Sequence, residues 1–455
     1  MKITLPENVN NIISTLEAAG HEAYAVGGCV RDLILGREPG DYDITTSATP
    51  EQVKAIFRRT FDTGLQHGTV TVLYGGGSYE VTTYRIDGIY EDGRRPKAVT
   101  YTSSLNEDLL RRDFTINAMA YNDNEGLIDP HGGLADIEKK IIRCVGDPEE
   151  RFTEDALRLM RAVRFAAQLG YEVEDATLRA ISGHAAALRQ ISAERIRDEL
   201  VKLAISPHPE YLRLLYETGL TAGFYPEFDI CMQTGQNNPH HCHSVGGHII
   251  ESMKYVRPEA VLRLAMMFHD IGKPSTKAVN EKTGHDSFHG HPQVGADMTR
   301  KIMRRLKFDN DTTDKVTRLV RHHDYDIEIN PDIDLRQLKV SGRYVRRAMA
   351  RIGADIYPLF IEVKIADIRA QSDYYQAEKL HCMEEVKRIY AEAIAAAECV
   401  SLKDLAIDGH DLIRAGIPPG KRIGKTLKAL LEDVIDNPEH NTKEYLLEIV
   451  SAKLY

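Results

Sequence analysis

The chain has 455 residues, a net charge of -10 and 42% hydrophobic residues, which predicts a globular protein of roughly three or four domains. No apolar run approaches the roughly 18 residues of a membrane span, and the first residues lack the basic and apolar blocks of a signal peptide. Six scattered cysteines without a CxxC pair predict reduced thiols in a cytoplasmic protein and argue against a disulfide framework.

The first part of the chain is predicted to be mixed α/β, and the remainder helical. An amphipathic segment opens the chain, and glycines 75–77 predict a hairpin between two strands. Helical periodicity dominates after Gly146. The predicted strands cover residues 23–26, 41–45, 69–73 and 79–86.

Two short patterns in the predicted head carry chemistry. Asp41 and Asp43 alternate in a predicted strand, so both carboxylates point the same way and suit Mg²⁺. Gly27 and Gly28 lie between a strand and a helix, where backbone N–H groups can cradle an anion, and Arg31 adds a guanidinium. A lone DxD is usually a turn or a solvated face, and a lone Gly-Gly is usually just a turn. Together they indicate nucleotidyl transfer.

This region resembles the class II CCA-adding tRNA nucleotidyltransferase and poly(A) polymerase family of the DNA polymerase β superfamily. The resemblance rests on residues 27–46, GGCVRDLILGREPGDYDITT, and on residues 111–118, which are similar to an RRDxxxNA motif. It implies that Asp41 and Asp43 hold metal ions and that Gly27, Gly28 and Arg31 hold the triphosphate. The RRDxxxNA residues implied to contact ribose and phosphate are Arg111, Arg112, Asp113 and Asn117.

The family also implies a third carboxylate on a neighbouring strand, for which Glu80 is the candidate. The alternative is that Glu80 is an ordinary surface carboxylate of a strand. With three carboxylates, the implied reaction is a two-metal, in-line attack of an RNA 3′ hydroxyl on the α-phosphate, with pyrophosphate leaving.

A base-selecting element is predicted where the helical part begins. Asp155 and Arg158 are three residues apart on a predicted helix, so an acceptor and a donor fork share a face and can imitate a base-pairing edge. An ordinary ion pair is the alternative. The segment resembles the family's EDxxR motif, which implies nucleotide selection by Glu154, Asp155, Arg158, Arg161 and Arg164.

The charged, glycine-rich segment of residues 87–96 is expected to be mobile. In CCA-adding members, a flexible loop in this position lets the site switch from cytosine to adenine. Its presence favours complete CCA addition over CC addition alone, and leaves an enzyme that adds only A possible.

A second metal site is predicted in the middle of the chain. His248, the adjacent pair His269-Asp270 and the later Asp367 offer ligands for a divalent transition metal. Their order resembles the HD phosphohydrolase superfamily, which implies a possible activity on RNA ends or a purely structural role. His291 and His323 lie where a second metal or a phosphate would be handled.

The last part of the chain resembles the C-terminal region of bacterial CCA-adding enzymes, which grips tRNA. The resemblance rests on residues 405–413 and 416–424. A solvated helix face is the alternative for its basic residues. The implied phosphate contacts are Lys421, Arg422, Lys425 and Lys428.

The sequence therefore predicts an α+β protein with a mixed α/β nucleotidyltransferase head, an elongated all-α neck, an HD domain and a tail. The expected boundaries are 1–145, 146–230, 231–375 and 376–455. The expected function is CCA addition to tRNA from CTP and ATP, with no membrane association and no obligate protein partner. The alternatives are an A-adding enzyme or poly(A) polymerase, and an HD phosphohydrolase with an RNA-binding head.

Overall fold

The computed structural model describes residues 2–87, 99–325 and 340–454. They form two compact units, Met1–Pro226 and Glu227–Tyr455, while the four expected domains stay a prediction. None of the helices in the described ranges is long and apolar enough to cross a membrane. The segment predicted to be a mobile loop, residues 87–96, falls outside the described residues except for Asp87.

Unit 1 contains a seven-stranded mixed sheet flanked by helices. The strands of this unit are β1 (Ala23–Val26), β2 (Asp43–Thr46), β3 (Thr60–Gly64), β4 (Thr69–Tyr74), β5 (Gly77–Thr83), β6 (Arg85–Asp87), β7 (Val99–Tyr101), β8 (Ala120–Asn122), β9 (Gly126–Ile128), β10 (Ile141–Ile142) and β11 (Glu172–Val173). The main sheet has the order β3-β4-β5-β2-β1-β8-β9. Strand β1 lies inside it, and all four of its residues are buried.

The helices of unit 1 precede, interrupt and follow this sheet. They are α1 (Glu7–Ala18), α2 (Gly28–Ile34), α3 (Pro50–Ile56), α4 (Leu105–Leu110), α5 (Gly133–Lys139), α6 (Pro148–Glu154), α7 (Leu157–Leu169), α8 (Asp175–His184), α9 (Ala193–Ala204), α10 (Leu212–Glu217) and α11 (Pro226–Gln233), the last crossing into unit 2. The local sequence explains where several of these helices begin or end. Thr49 and Gln52 form a capping box at α3, Asp147 caps α6 before a proline, and left-handed Gly170 ends α7.

Unit 2 is helical apart from a short hairpin of β12 (Ala278–Val279) and β13 (Asp286–Ser287). Its remaining helices are α12 (Val245–Met253), α13 (Ala260–Phe268), α14 (Lys273–Thr276), α15 (His291–Arg305), α16 (Asn310–His322), α17 (Gly342–Ile352), α18 (Tyr357–Arg369), α19 (Gln376–Ala395), α20 (Gly409–Arg414), α21 (Lys421–Asp436) and α22 (Lys443–Leu454). Helix α13 is buried from Leu262 to Phe268, so the ends of α12, α15, α16 and α18 can converge near its C-terminus.

The predicted mixed head followed by helices is confirmed, with differences in detail. The strand expected at residues 41–45 begins only at Asp43. The strand expected at 79–86 ends at Thr83, and Arg85–Asp87 pairs instead with β7. The single helix expected through Asp155 and Arg158 is wrong, because Asp155 is extended and separates α6 from α7.

Candidate functional site

Three carboxylates meet at the start of β2. Asp43 is the register partner of Glu80 on the parallel strand β5, and partners in register present their side chains on the same face. Asp41 lies just before the strand. The pKa of Asp43 is raised to about 6, first by burial and then by the negative charges of Asp41 and Glu80, against the opposing charge of Arg112. Oxygen ligands that repel one another in this way suit a hard divalent cation.

The glycine turn brings an arginine close to the backbone. Gly27 has φ +82°, and a Cβ there would lie 3.0 Å from Arg112 Nη1. Its N–H donates to the carbonyl of Met119 at 3.1 Å. Gly28 is the first residue of α2. The positive φ therefore favours glycine at position 27, and a larger residue would also have to displace the Arg112 side chain slightly.

Arg31 links the two predicted motifs of the head. Its Nη1 donates to Asn117 Oδ1 at 2.7 Å and its Nε to Asp32 Oδ1 at 2.9 Å. Asn117 in turn donates to Asp113 Oδ1 at 3.2 Å. The guanidinium of Arg31 also lies 5.2 Å from the ring centroid of Phe165. This residue, expected to contact triphosphate, is thus held in place by side chains of the second motif.

Asp113 is a buried anchor for Arg161. Arg161 donates to Asp113 Oδ2 from Nε at 2.8 Å and from Nη2 at 2.5 Å. Burial alone would raise the pKa of Asp113, but Arg161 holds it well below its usual range. This oxygen accepts two hydrogen bonds from Arg161. Asp113 therefore positions Arg161, in addition to the ribose contact expected of it.

Asp108 is a partner that the sequence did not reveal. Arg111 Nη2 lies 2.6 Å from Asp108 Oδ1 and Arg112 Nη2 lies 3.4 Å from Oδ2. Thr45, on β2, donates to the same carboxylate at 3.0 Å. An acid three and four residues before two arginines was the available signal. Asp108 thus ties both arginines of the second motif to the strand that carries Asp43.

Asp155 and Arg158 share a cleft of about 250 Å³, and each side chain is held by a further partner. Arg158 donates to Glu154 at 2.5 Å, whereas Asp155 accepts from Arg195, on α9, at 2.7 Å. Leu157 also lines the cleft. The expected nucleotide-binding residues that line it are Arg111, Arg112, Asp113, Asp155, Arg158 and Arg161. The acceptor Asp155 and the arginine donors therefore lie in one cleft, although Asp155 and Arg158 do not belong to the same helix.

Arg164 has a different environment from its neighbours in the motif. Its Nε donates to the buried Glu199 at 2.6 Å, and its guanidinium lies 3.6 Å from the ring centroid of Phe165. Among the described residues, it is not part of the cleft lining. Arg164 thus joins α7 to α9 through an ion pair that is buried on both sides.

In unit 2, six side chains form two adjoining sets of three possible metal ligands. Within each set, one ligand atom per residue lies within 4.8 Å of the others, and all six residues are buried. The sets are His248, His269 and Asp367, and Asp270, His291 and His323. The structure therefore brings together all four predicted ligands and the two further histidines.

The four imidazoles are oriented alike. Each places Nδ1 within 2.7 to 3.2 Å of a backbone carbonyl oxygen, the carbonyls being those of Ala370, Met266, Phe288 and Val320. An Nδ1–H donor leaves Nε2 as a lone-pair acceptor, as histidine ligands require. The buried Nε2 of His269 has no hydrogen-bond partner among the described residues.

Asp270 lies between the two sets. Its Oδ2 is 3.3 Å from His269 Nε2 and 3.7 Å from His248 Nε2. Its Oδ1 is 3.4 Å from His291 Nε2 and 3.5 Å from His323 Nε2. Each carboxylate oxygen thus faces a different pair of imidazoles, so Asp270 and the four histidines would be able to hold divalent cations together.

A cavity of about 340 Å³ is lined by four of these six residues, Asp270, His291, His323 and Asp367. Lys273 also lines it and lies 2.7 Å from Asp270 Oδ2. Burial alone would raise the pKa of Asp367, but its proximity to His248, whose Nε2 lies 2.9 Å from Oδ1, helps to hold it well below the usual range. The cavity thus combines nitrogen and oxygen donors with a buried cation suited to a phosphate ester.

The four basic residues predicted in the tail lie on one exposed helix. Lys421, Arg422, Lys425 and Lys428 belong to α21 and are all exposed. The other face of α21 packs into an apolar core through residues such as Leu430. In contrast, Arg343 and Arg347 of α17 are paired with Asp436 at the end of α21.

Three family models match successive parts of the chain. The "Poly A polymerase head domain" matches residues 23–143 and the "Probable RNA and SrmB-binding site of polymerase A" matches residues 170–232. The model of tRNA nucleotidyltransferase domain 2 matches residues 292–450.

Full-length relatives and solved structures agree with these matches. The CCA-adding enzyme of Lactobacillus gasseri is 37% identical, over 98% of this chain and 99% of that protein. The crystal structure of the Bacillus stearothermophilus CCA-adding enzyme with CTP matches with a TM-score of 0.71 at 31% identity, covering 99% of this chain and 98% of that one. The Thermotoga maritima CCA-adding enzyme complexed with tRNA has a TM-score of 0.53 at 20% identity over the full length of both chains, a likeness of fold alone.

Proposed function

The chain belongs to the CCA-adding enzyme family, and from this premise we propose that it adds CMP and AMP to the 3′ end of tRNA. CTP and ATP are the substrates, pyrophosphate is released, and no nucleic-acid template is used. The observation that carries the proposal is the register of Asp43 with Glu80 beside Asp41. This cluster lies in the same unit as the cleft of Asp155 and Arg158.

Asp41, Asp43 and Glu80 are proposed to hold Mg²⁺, since three mutually repelling carboxylates suit a hard cation. The ion would neutralise phosphate charge and favour the ionised 3′ hydroxyl. In the chain itself, Gly27 permits close backbone approach to the triphosphate. Arg31 and Arg112, positioned by Asn117 and Asp108, carry the phosphate-binding charge.

Base selection is assigned to the cleft at the junction of α6 and α7. Asp155 supplies acceptors, while Arg158 and Arg195 supply donors at fixed positions. Asp155→Asn exchanges one acceptor for a donor, so the ratio of CTP to ATP incorporation should change by at least about tenfold, as expected for a misplaced buried hydrogen-bonding group. An unchanged ratio of kcat/KM values would contradict the assignment.

The decisive assay supplies CTP and ATP, separately and together, to tRNA that lacks its terminal CCA. We expect CTP alone to add two residues, and the mixture to add three. An A-adding enzyme would extend only tRNA already ending in CC, and a poly(A) polymerase would make long products from ATP. Asp41→Ala should abolish addition, whereas Asp62→Ala, an exposed carboxylate paired with Lys54, should not.

Contacts to the outer part of tRNA are assigned to the exposed face of α21, with Lys421, Arg422, Lys425 and Lys428 as phosphate contacts. We place the protein in the cytoplasm because its six cysteines are free thiols.

A second candidate function belongs to unit 2. The shared orientation of four imidazoles around Asp270 supports a centre for two divalent transition metals. With Lys273 in its cavity, the centre would hydrolyse a phosphate ester, such as one at an RNA end. Metal analysis of the purified chain should find about two ions per chain, and His269→Ala should lower that content without reducing nucleotide addition.

A further inference from the structure

A second cleft adjoins the metal centre of unit 2. Its volume is about 480 Å³, and its walls come from the start of α15, the end of α16 and the helix α17. Pro292 and Asp324 line both this cleft and the cavity of the metal centre. The two spaces therefore share a wall. His291 directly precedes Pro292 and His323 directly precedes Asp324, and the Nε2 atoms of both histidines face Asp270.

Two tyrosines form an aromatic surface in this cleft. The ring centroids of Tyr325 and Tyr344 are 5.9 Å apart, with planes inclined by 50°. Both side chains are half-buried and line the cleft. The guanidinium of Arg351 lies 5.6 Å from the Tyr325 centroid. Aromatic rings beside arginine are typical platforms for nucleic-acid bases.

The cleft also carries positive charge that is only partly neutralised. Arg347 donates two hydrogen bonds to Asp436, which neutralises its charge. Arg321 makes one contact of 3.3 Å to the exposed Asp297. Across the described ranges, Arg351 forms no ion pair with a carboxylate. Two guanidiniums are therefore placed to bind a phosphate.

We propose that this cleft binds a nucleoside phosphate beside the metal centre. The base stacks on Tyr325 and Tyr344, while Arg321 and Arg351 contact the phosphate. The proposal rests on the metal centre proposed above and makes its substrate specific, since small phosphate esters lack the ring that the tyrosines hold. The nucleoside phosphate is either a free mononucleotide or the 3′ end of an RNA.

The test measures binding of AMP, and of a short single-stranded RNA with a 3′ phosphate, to the full chain by calorimetry. The head is unchanged in the variants, so only the difference in binding between parent and variant is assigned to the cleft. Tyr325→Ala combined with Arg351→Gln should weaken binding at least about tenfold, because a stacked base and a charged hydrogen bond are lost. Tyr325→Phe keeps the ring and should bind like the parent. Arg388→Gln, an exposed arginine of α19 paired with glutamates, is the matched control.

Binding of AMP identifies a mononucleotide as sufficient, and binding of the RNA alone identifies an RNA end. Equal affinity of the parent and the double variant for both ligands would overturn the proposal, as would no binding of either ligand by the parent. Metal content is measured on the same samples. A chain that binds AMP through Tyr325 but contains no metal would refute the metal centre while leaving the cleft intact.

In the metal-loaded chain, hydrolysis gives a second readout. Tyr325→Ala alone should raise KM for nucleotide phosphate esters by about tenfold and leave turnover of glycerol phosphate, which has no ring, unchanged. Equal losses on both substrates would overturn the proposal, because the substitution would then have damaged the metal centre itself.

Discussion

The two ligand clusters of this chain differ in how they are prepared for a metal ion. In the head, Asp43 is partly buried and Glu80 is exposed, and the pKa of Asp43 is raised first by burial and then by the negative charges of Asp41 and Glu80. In unit 2, all six side chains are buried, and each imidazole is oriented by a backbone carbonyl. The head is thus suited to an ion that arrives with substrate phosphates, and unit 2 to an ion that stays.

The largest expected effect is that single substitutions abolish the function of one ligand cluster and leave the other cluster unchanged. Asp43→Ala should lower nucleotide addition by about 10³-fold, in line with the loss of one electrostatic stabiliser of the transition state, and leave the metal content of unit 2 unchanged. Asp270→Ala should do the reverse, because it removes the carboxylate between both sets of imidazoles. The measurements are single-nucleotide addition to tRNA and metal analysis. If either variant impaired both properties, the clusters would not be independent.

Retention of metal should sharpen the contrast. Brief dialysis against a weak chelator should stop nucleotide addition until Mg²⁺ is restored, while the transition metal stays bound. Complete removal with a strong chelator should then lower the free energy of unfolding of unit 2 by about 3 kcal/mol, as for a ligand at roughly a hundred times its Kd. Thermal unfolding before and after re-addition of metal measures this, with His269→Ala as the insensitive control.

The raised pKa of Asp43 predicts a smaller effect with a definite sign. In the metal-free chain, this carboxyl binds a proton more tightly when folded, so its ionisation lowers stability as pH rises through about 6. Asp43→Asn should therefore raise the free energy of unfolding by on the order of 1–2 kcal/mol at about pH 8, and by almost nothing at about pH 4. Urea unfolding at both values checks this, and Mg²⁺ should reduce the difference.

The smallest expected effect concerns the tail. Lys425→Ala with Lys428→Ala should weaken tRNA binding several-fold and reduce the salt dependence of log Kd by about two phosphate contacts. The matched control is Lys315→Ala with Lys387→Ala, two lysines that pair with neighbouring acids. If the Lys425→Ala, Lys428→Ala variant bound tRNA as the control variant does, the basic residues of α21 would be a solvated helix face and not a tRNA contact.

The sequence predicted features that depend on local pattern. The glycine turn, Asp43 on its strand and the order of His and Asp ligands in unit 2 could all be stated in advance. The break at Asp155 could not, because neither glycine nor proline marks it. Asp108 was missed although it lies within four residues of both of its arginines. The pairings of Arg195 with Asp155 and of Glu199 with Arg164 were not predicted, because ion pairs between separate elements follow from tertiary packing. For the same reason, spacing could not show that Asp270 faces both sets of imidazoles.

The ion pair of Asp155 with Arg195 has a consequence for attempts to redesign nucleotide preference. The two residues lie forty positions apart in sequence, so a graft of the short motif alone transfers only half of the recognition surface. A neutral residue at position 155 would leave Arg195 without its carboxylate and shift the charge of the whole cleft. We therefore expect nucleotide preference to transfer from one relative to another only when the residues at positions 155 and 195 are replaced together.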